Sequence, residues 1–256
     1  MIIDAFTFFN ELELLEIRLN ELKGTVDLFV LVEATGSFTS EPKPLVYEKN
    51  KERFSGFNIS HVVVDDMPNT GNPWDNEEHQ RRAILRGLPK KFDWIMISDV
   101  DEIPRKDVFD RPDFIEEWHP VHQPMFMYYL NTQLTRRWNG TVIASRDFFD
   151  FMLRRNCHEA RLGRRHGKPL LDGGWHFSWL ADDPKRVLKK IVSISETRLA
   201  RTKSCNVEKI TELIANLKEF EGKRTLKPVP IVSGEFPEYL VQNQEKFKHL
   251  IYERKV

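Results

Sequence analysis

The chain has 256 residues, 40% of them apolar and 30% charged, enough to bury a sizeable core in one large domain or one domain with an appendage. Lys plus Arg and Asp plus Glu both number 39, so the balanced charge carries no basic footprint of a nucleic-acid binder. No window approaches the roughly 18 to 20 uninterrupted apolar residues of a membrane span, and residues 1–6 lack the basic start of a secretory signal, which makes the cytosol the expected location.

Residues 2–9 form a short apolar run with strand character. Residues 11–22 carry leucines and isoleucine at helical spacing, and Lys23 and Gly24 supply a helix stop. Residues 26–32 are continuously apolar, as in a strand covered on both faces. A Pro-containing loop over 39–45 leads to a third strand at 61–64. A helix is expected over 76–88, with Asp75 as its cap and Glu78 as the capping-box partner. A fourth strand follows at 94–97. Strands alternating with helices argue for an α/β fold around a mostly parallel sheet.

The second half is less regular. Strands are expected at 125–130, 141–144 and 148–155, a break at Gly173 and Gly174, and helices at 184–200 and 207–220. An amphipathic helix over 239–251 ends the chain. Cys157 and Cys205 lie far apart and are expected as reduced thiols.

The expected strands end in polar or acidic residues: Asn10 and Glu11, Glu33, Asp65 and Asp66, then Asp99, Asp101 and Glu102. Ligands of open parallel sheets sit at these carboxyl ends, so the four ends predict one acidic crevice. On an extended chain Asp99 and Asp101 point to the same side and can converge on one object. Two hard carboxylates suit Mg²⁺ or Mn²⁺ and leave positions open for phosphate oxygens. Solvated turn residues would give the same pattern, so the motif draws its weight from its place after a buried strand.

The stretches DAFTFFNELELLEIRLNEL, VDLFVLVEAT, KPLVYEKNKERF, WDNEEHQRRAI, ISDVDEIPR and GGWHFSWL closely resemble glycosyltransferase family 17 from about residue 4 to about residue 180. The resemblance implies an inverting transferase of GT-A type that uses a UDP-sugar and a divalent metal. It implies a catalytic domain over 1–180, with a nucleotide-sugar half at 1–104 and an acceptor-side half at 105–180. Residues 181–256 are then a C-terminal helical extension packed on it. GlcNAc is the first-choice sugar, and a carbohydrate hydroxyl is the acceptor.

Against that background Mn²⁺ or Mg²⁺ is expected on Asp101 and Asp99, with His176 as a third ligand. Phe9 and Asn10 stand where such a sheet meets the nucleotide, although Asn10 equally suits a helix cap. Glu33 fits ribose or base recognition as well as an internal ion pair. Glu77, Arg81 and Arg82 lie on the helix that lines the donor pocket in such enzymes, and one of the two arginines should face solvent. Trp175 is a candidate for stacking on a sugar face beside glycines that permit close approach. Asp172 is the first candidate for the general base, then Glu102 and Glu33, with a scaffold salt bridge as the alternative for Glu102. Arg136, Arg137, Trp138, Arg154, Arg155 and the basic run 158–166 are looser candidates for contact with donor or acceptor. The rival readings are another UDP-hexose donor, a metal-dependent phosphohydrolase, and a carbohydrate-binding protein without catalysis. The oligomeric state is open.

Overall fold

The computed structural model describes residues 1–180, 183–203 and 205–253. Strands β1 (Ile2–Phe8), β2 (Leu28–Ala34), β3 (Ile59–Val64) and β4 (Trp94–Asp99) form a parallel half-sheet in the order β3-β2-β1-β4, the Rossmann-like arrangement expected from the alternating pattern. Helix α1 (Leu12–Glu21) returns from β1 to β2, and α2 (Pro73–Arg82) precedes β4. β1 and β2 are buried along almost their whole length, which explains their near-continuous apolar sequence.

Beyond β4 the sheet is mixed. β7 (Thr132–Ser145) runs antiparallel to β4, β6 (Trp118–Met127) antiparallel to β7, and β8 (Gly174–Ser178) parallel to β6. β5 (Glu102–Pro104) pairs antiparallel with β8 at the far edge, and β9 (Lys227–Pro228) adds to β7. Only two residues separate β4 from β5, yet three strands lie between them in the sheet. The sheet therefore curls back on itself, and the backbone amide of Asp99 donates to Glu102 Oε2 at 3.0 Å across the join.

The C-terminal segment closes the outside of α1. Leu14 and Ile17 of α1 share a core with Phe236, Leu240, Phe247 and Leu250. On the other side α4 (Pro184–Ser193) and α6 (Val207–Ala215) bury Val187, Ile191, Ile210 and Ile214 against Met125, Met127 and Tyr128. No helix among the described residues is long and apolar enough to cross a membrane.

Several elements differ from the sequence expectation for local reasons. Residues 148–155 do not form a strand. Phe148–Met152 makes one wide helical turn that buries Phe149 and leaves Phe151 78% exposed. α2 begins earlier than expected because Asn72, not Asp75, caps it; Asn72 Oδ1 accepts from the Trp74 amide, and Asp75 accepts from Asn72 Nδ2 and Thr70. Its last stretch tightens into a 3₁₀ turn at Ala83–Gly87. The helix expected at 184–200 breaks at the extended residue Ile194 into α4 and a single turn, α5 (Thr197–Ala200). The terminal helix is likewise two short pieces, α7 (Glu238–Gln242) and a 3₁₀ turn at Lys248–Leu250. Both cysteines are free thiols.

Candidate functional site

A cleft of about 280 Å³ opens at the carboxyl ends of β1 and β4. Thr7, Phe8, Phe9 and Glu11 form one wall, and Asp99, Val100 and Asp101 form its floor. α2 contributes Trp74, Glu77, Gln80 and Arg81. The second half of the chain supplies Trp138 from β7, Arg161 from α3 (Cys157–Leu162), Arg164, and the segment from Lys190 to Glu196. The last group reaches the cleft because α4 stops at Ser193 and the chain turns over the opening.

The floor is held by charges on every side. Asp99 is the last residue of β4, where Thr7 Oγ1 donates to its Oδ1 at 2.8 Å. Arg81 Nη1 stands 3.0 Å from the same oxygen, and Arg161 Nη2 stands 3.3 Å from the other. Burial alone would raise the Asp99 pKa, but these two guanidiniums outweigh it and hold the carboxyl well below the usual range. Asp101 lies in the turn after the strand, so it does not share the strand geometry expected for the pair. Its Oδ2 accepts from Lys190 Nζ at 2.8 Å, and the same ammonium sits 2.7 Å from Glu11 Oε1. Burial raises the Asp101 pKa, with Lys190 opposing it, while Lys190 itself is held above the usual lysine range by the two acids despite its burial.

The backbone of this floor is fixed from below by Arg18. Its guanidinium is fully buried, lies over the Phe6 ring at 4.4 Å and pairs with Asp4 of β1 at 2.5 Å. Nη1 donates to the carbonyls of Asp99 at 3.1 Å and Glu102 at 2.9 Å. One buried ion pair thus sets the shape of the turn that carries the acids.

The side chains at Asp101 can be tested for a divalent ion. Among the described residues no three His, Cys, Asp or Glu side chains group as a ready-made cage. Two do approach: Asp101 Oδ1 and His176 Nε2 are 3.8 Å apart. Burial lowers the His176 pKa against the pull of Asp101, so the ring is neutral and offers a lone pair, and its buried Nδ1 has no hydrogen-bond partner. A carboxylate oxygen and an imidazole nitrogen, with other positions left to phosphate and water, fit Mn²⁺ or Mg²⁺ as a site completed by substrate. Asp99 drops out of the expected ligand set because Arg81, Arg161 and Thr7 occupy its oxygens.

Of the remaining expected residues, Phe9, Glu77 and Arg81 line the cleft. Glu77 accepts from Arg81 Nη2 at 2.9 Å and from Ser195. Arg82 is the solvent-facing arginine, paired with Glu78 at 2.5 Å. Asn10 neither lines the cleft nor caps α1; Glu11 at the cap position accepts from the Asn10 amide instead. Glu33 is fully buried away from the cleft, accepting from the amides of Val46 and Tyr47. Glu102 Oε1 accepts from Arg161 and from Trp138 Nε1 at 2.7 Å, and Oε2 accepts from the Asp99 amide at 3.0 Å, which makes it scaffold.

Trp175 is buried and donates to the Glu235 carbonyl at 2.7 Å, so no sugar can stack on it. The glycine beside it serves packing: a Cβ on Gly174 would stand 2.2 Å from the Ile103 carbonyl oxygen. Asp172 lies outside the cleft, with its side chain 77% exposed and 3.6 Å from His122. Arg154 and Arg155 are also absent from the lining, and the side chain of Arg137 lies outside what is described. Sequence reasoning missed Lys190 and Arg18 as site residues. Each follows an apolar residue by three positions on a buried helix face, Lys190 after Val187 and Arg18 after Leu15.

A family model described as glycosyltransferase family 17 matches residues 1–254. The rat and human β-1,4-mannosyl-glycoprotein 4-β-N-acetylglucosaminyltransferases are each 23% identical over 98% of this chain. The chain spans about half the length of these curated relatives, 54% and 55% respectively. Among solved structures, residues 1–349 of S. aureus TarS align with a TM-score of 0.38 at 14% identity, covering 86% of this chain and 79% of that one. The T. maritima inositol-1-phosphate CTP transferase aligns with a TM-score of 0.40 at 11% identity, covering 82% and 96%.

Proposed function

We propose that this chain, which belongs to glycosyltransferase family 17, transfers a sugar from a UDP-sugar to a carbohydrate hydroxyl with inversion, and that the sugar is GlcNAc. The observation that carries the reading is the cleft itself, where the acidic turn after β4 meets Arg81 of α2, Arg161 of α3, Arg164 of the turn after it, and Lys190 of α4. GlcNAc is chosen because the curated relatives are named for its transfer.

The cleft lining carries five carboxylates (Glu11, Glu77, Asp99, Asp101 and Glu196) against four cations (Arg81, Arg161, Arg164 and Lys190), so a diphosphate entering it needs a cation beside it. Asp101 and His176 would hold an Mn²⁺ or Mg²⁺, which would supply charge neutralisation of the departing diphosphate. Arg161 and Arg164 border the same space and bring positive charge to it. Trp74, 49% exposed in the lining, offers a ring face to the uracil base. Phe9 and Phe8 exclude water beside it.

An inverting transfer also needs a base for the acceptor proton. Glu11, Glu77, Asp99 and Asp101 are each engaged by a largely buried cation. Among the described residues Glu196 has one ion-pair partner, Arg198 at 3.6 Å, itself 75% exposed, and is the lining carboxylate left to take a proton.

The test uses a panel of nucleotide sugars with Mn²⁺, read by thermal stabilisation and by nucleotide release. UDP-GlcNAc should stabilise the protein and release UDP. Asp101→Asn should abolish the Mn²⁺-dependent part of the stabilisation, and Glu196→Gln should keep binding while slowing transfer by roughly 10²- to 10⁴-fold. The reading fails if no nucleotide sugar stabilises the chain, or if Asp101→Asn binds donor and Mn²⁺ as the wild type does.

A further inference from the structure

A second concavity of about 420 Å³ adjoins the donor cleft, and its chemistry differs sharply. His122, Arg136, Trp138, Arg164, Arg165 and Leu171 are among its walls, and no carboxylate is among its lining residues. Trp138 and Arg164 line both spaces, so the two cavities meet at this pair.

Arg164 is the informative residue. Its side chain is half-buried, and among the described residues its Nη1 donates to the Arg161 carbonyl alone, at 3.3 Å. No carboxylate lies within ion-pair distance of it among the described residues, whereas Arg81 and Arg161 nearby each have such partners. Burial, reinforced by Arg161, pushes its pKa down to about 10. Arg164 lies over the Trp138 ring at 4.9 Å, and Arg136 lies over the same ring at 5.5 Å. Arg165 stands exposed at the rim.

Guanidiniums gathered without a counter-ion repel one another, and a partly buried cation without an anion is costly. A fold that keeps such a group leaves room for an anion from outside. The planar forks of arginine suit carboxylate or phosphate oxygens. Leu171, 50% exposed, and Pro169 give the same pocket an apolar side that can face a pyranose ring.

We propose that this pocket is the acceptor subsite and that it takes an anionic saccharide, its acidic group held by Arg136, Arg164 and Arg165 while a hydroxyl points past Trp138 toward the donor. This rests on the reading of the neighbouring cleft as a nucleotide-sugar site. The acidic group is a uronate carboxylate or a sugar phosphate, two sources of the same recognition.

The test is calorimetric titration of the full chain with four probes: trigalacturonate against the neutral galactose trisaccharide of the same linkage, and mannose 6-phosphate against mannose. Each titration is repeated with Arg136→Ala/Arg165→Ala, and UDP with Mn²⁺ is titrated into both proteins. At least one acidic probe should bind roughly tenfold or more tightly than its neutral counterpart, from charge-assisted bonds to two arginines. The double variant should lose that preference and bind UDP as the wild type does. Preference for the uronate alone assigns a carboxylate acceptor, and preference for the phosphate alone assigns a phosphorylated one. Equal binding of acidic and neutral probes overturns the proposal, as does a preference that survives the double variant. Failure of UDP to bind while the acidic preference persists would instead remove the donor reading and leave the anion site standing.

Discussion

Lys190→Met removes one charge and preserves most of the side-chain volume. In the wild type the ammonium lies 2.7 Å from Glu11 Oε1 and 2.8 Å from Asp101 Oδ2, with all three side chains at least four-fifths buried. Each contact is worth about 6 kcal/mol at an effective dielectric near 20, against a desolvation cost of several kcal/mol per ion. Removing the cation leaves two buried carboxylates facing each other, for which the loss is about 3–5 kcal/mol. For a chain of this size that is a fall of roughly 6–20 °C in Tm. The loss should sit at the lower end at mildly acid pH, because Asp101 already has a raised pKa and can escape by binding a proton. The assay is thermal unfolding of Lys190→Met, Glu11→Gln and the double variant. Glu11→Gln should recover part of the loss when placed on Lys190→Met, since it removes one of the two orphaned charges, giving a coupling of about 1–3 kcal/mol. If Lys190→Met melts within about 1 °C of the wild type, or the two losses simply add, the bridge is not what holds α4 over the cleft.

Arg18→Met should destabilise the protein by about 3–5 kcal/mol in denaturant unfolding, because Asp4 is left charged and fully buried. Asp4→Asn on that background should recover part of it. Gly174→Ala should cost at least about 1–3 kcal/mol by the same measurement, since the new methyl meets the Ile103 carbonyl oxygen and the Pro104 backbone, neither of which can swing aside as a side chain can. A thiol reagent at pH 8 should modify Cys205 and leave Cys157 untouched until denaturant is added, because Cys157 is fully buried with its pKa pushed up to about 12. Mass spectrometry of the native protein should therefore show one adduct.

The first half of the fold was legible because its signals are local. β1, β2 and β4 are apolar runs of strand length, α1 has helical spacing with a stop, and the strand-helix alternation makes their pairing parallel. The second half was harder because long-range pairing decides it. β7 runs from Thr132 to Ser145; β6 is its hairpin neighbour, but its other partners β4 and β9 come from far along the chain in opposite directions. Nothing local to 148–155 distinguishes a strand from a turn that buries one phenylalanine. Gly174 reads as a loop signal, yet it sits in a strand because β5 passes too close for any side chain.

The acidic turn was found from its position, but what surrounds it could have been read from a different signal. Asp4 interrupts an apolar strand, Arg18 and Lys190 sit on the buried faces of amphipathic helices, and Glu102 starts a fully buried strand. Each breaks the pattern that its own element demands, and a lone buried charge is too costly to survive without a partner. In the structure these pattern-breakers are paired: Asp4 with Arg18, Glu102 with Arg161, and Lys190 with Glu11 and Asp101. Every one of those pairs touches the turn from Asp99 to Glu102 or fixes its backbone. A charge in the wrong place of an apolar pattern is thus a pointer to the site, and it needs no motif to be recognised. By the same logic Arg164, half-buried and with no carboxylate within ion-pair distance among the described residues, is the group that the proposed anionic acceptor would pair.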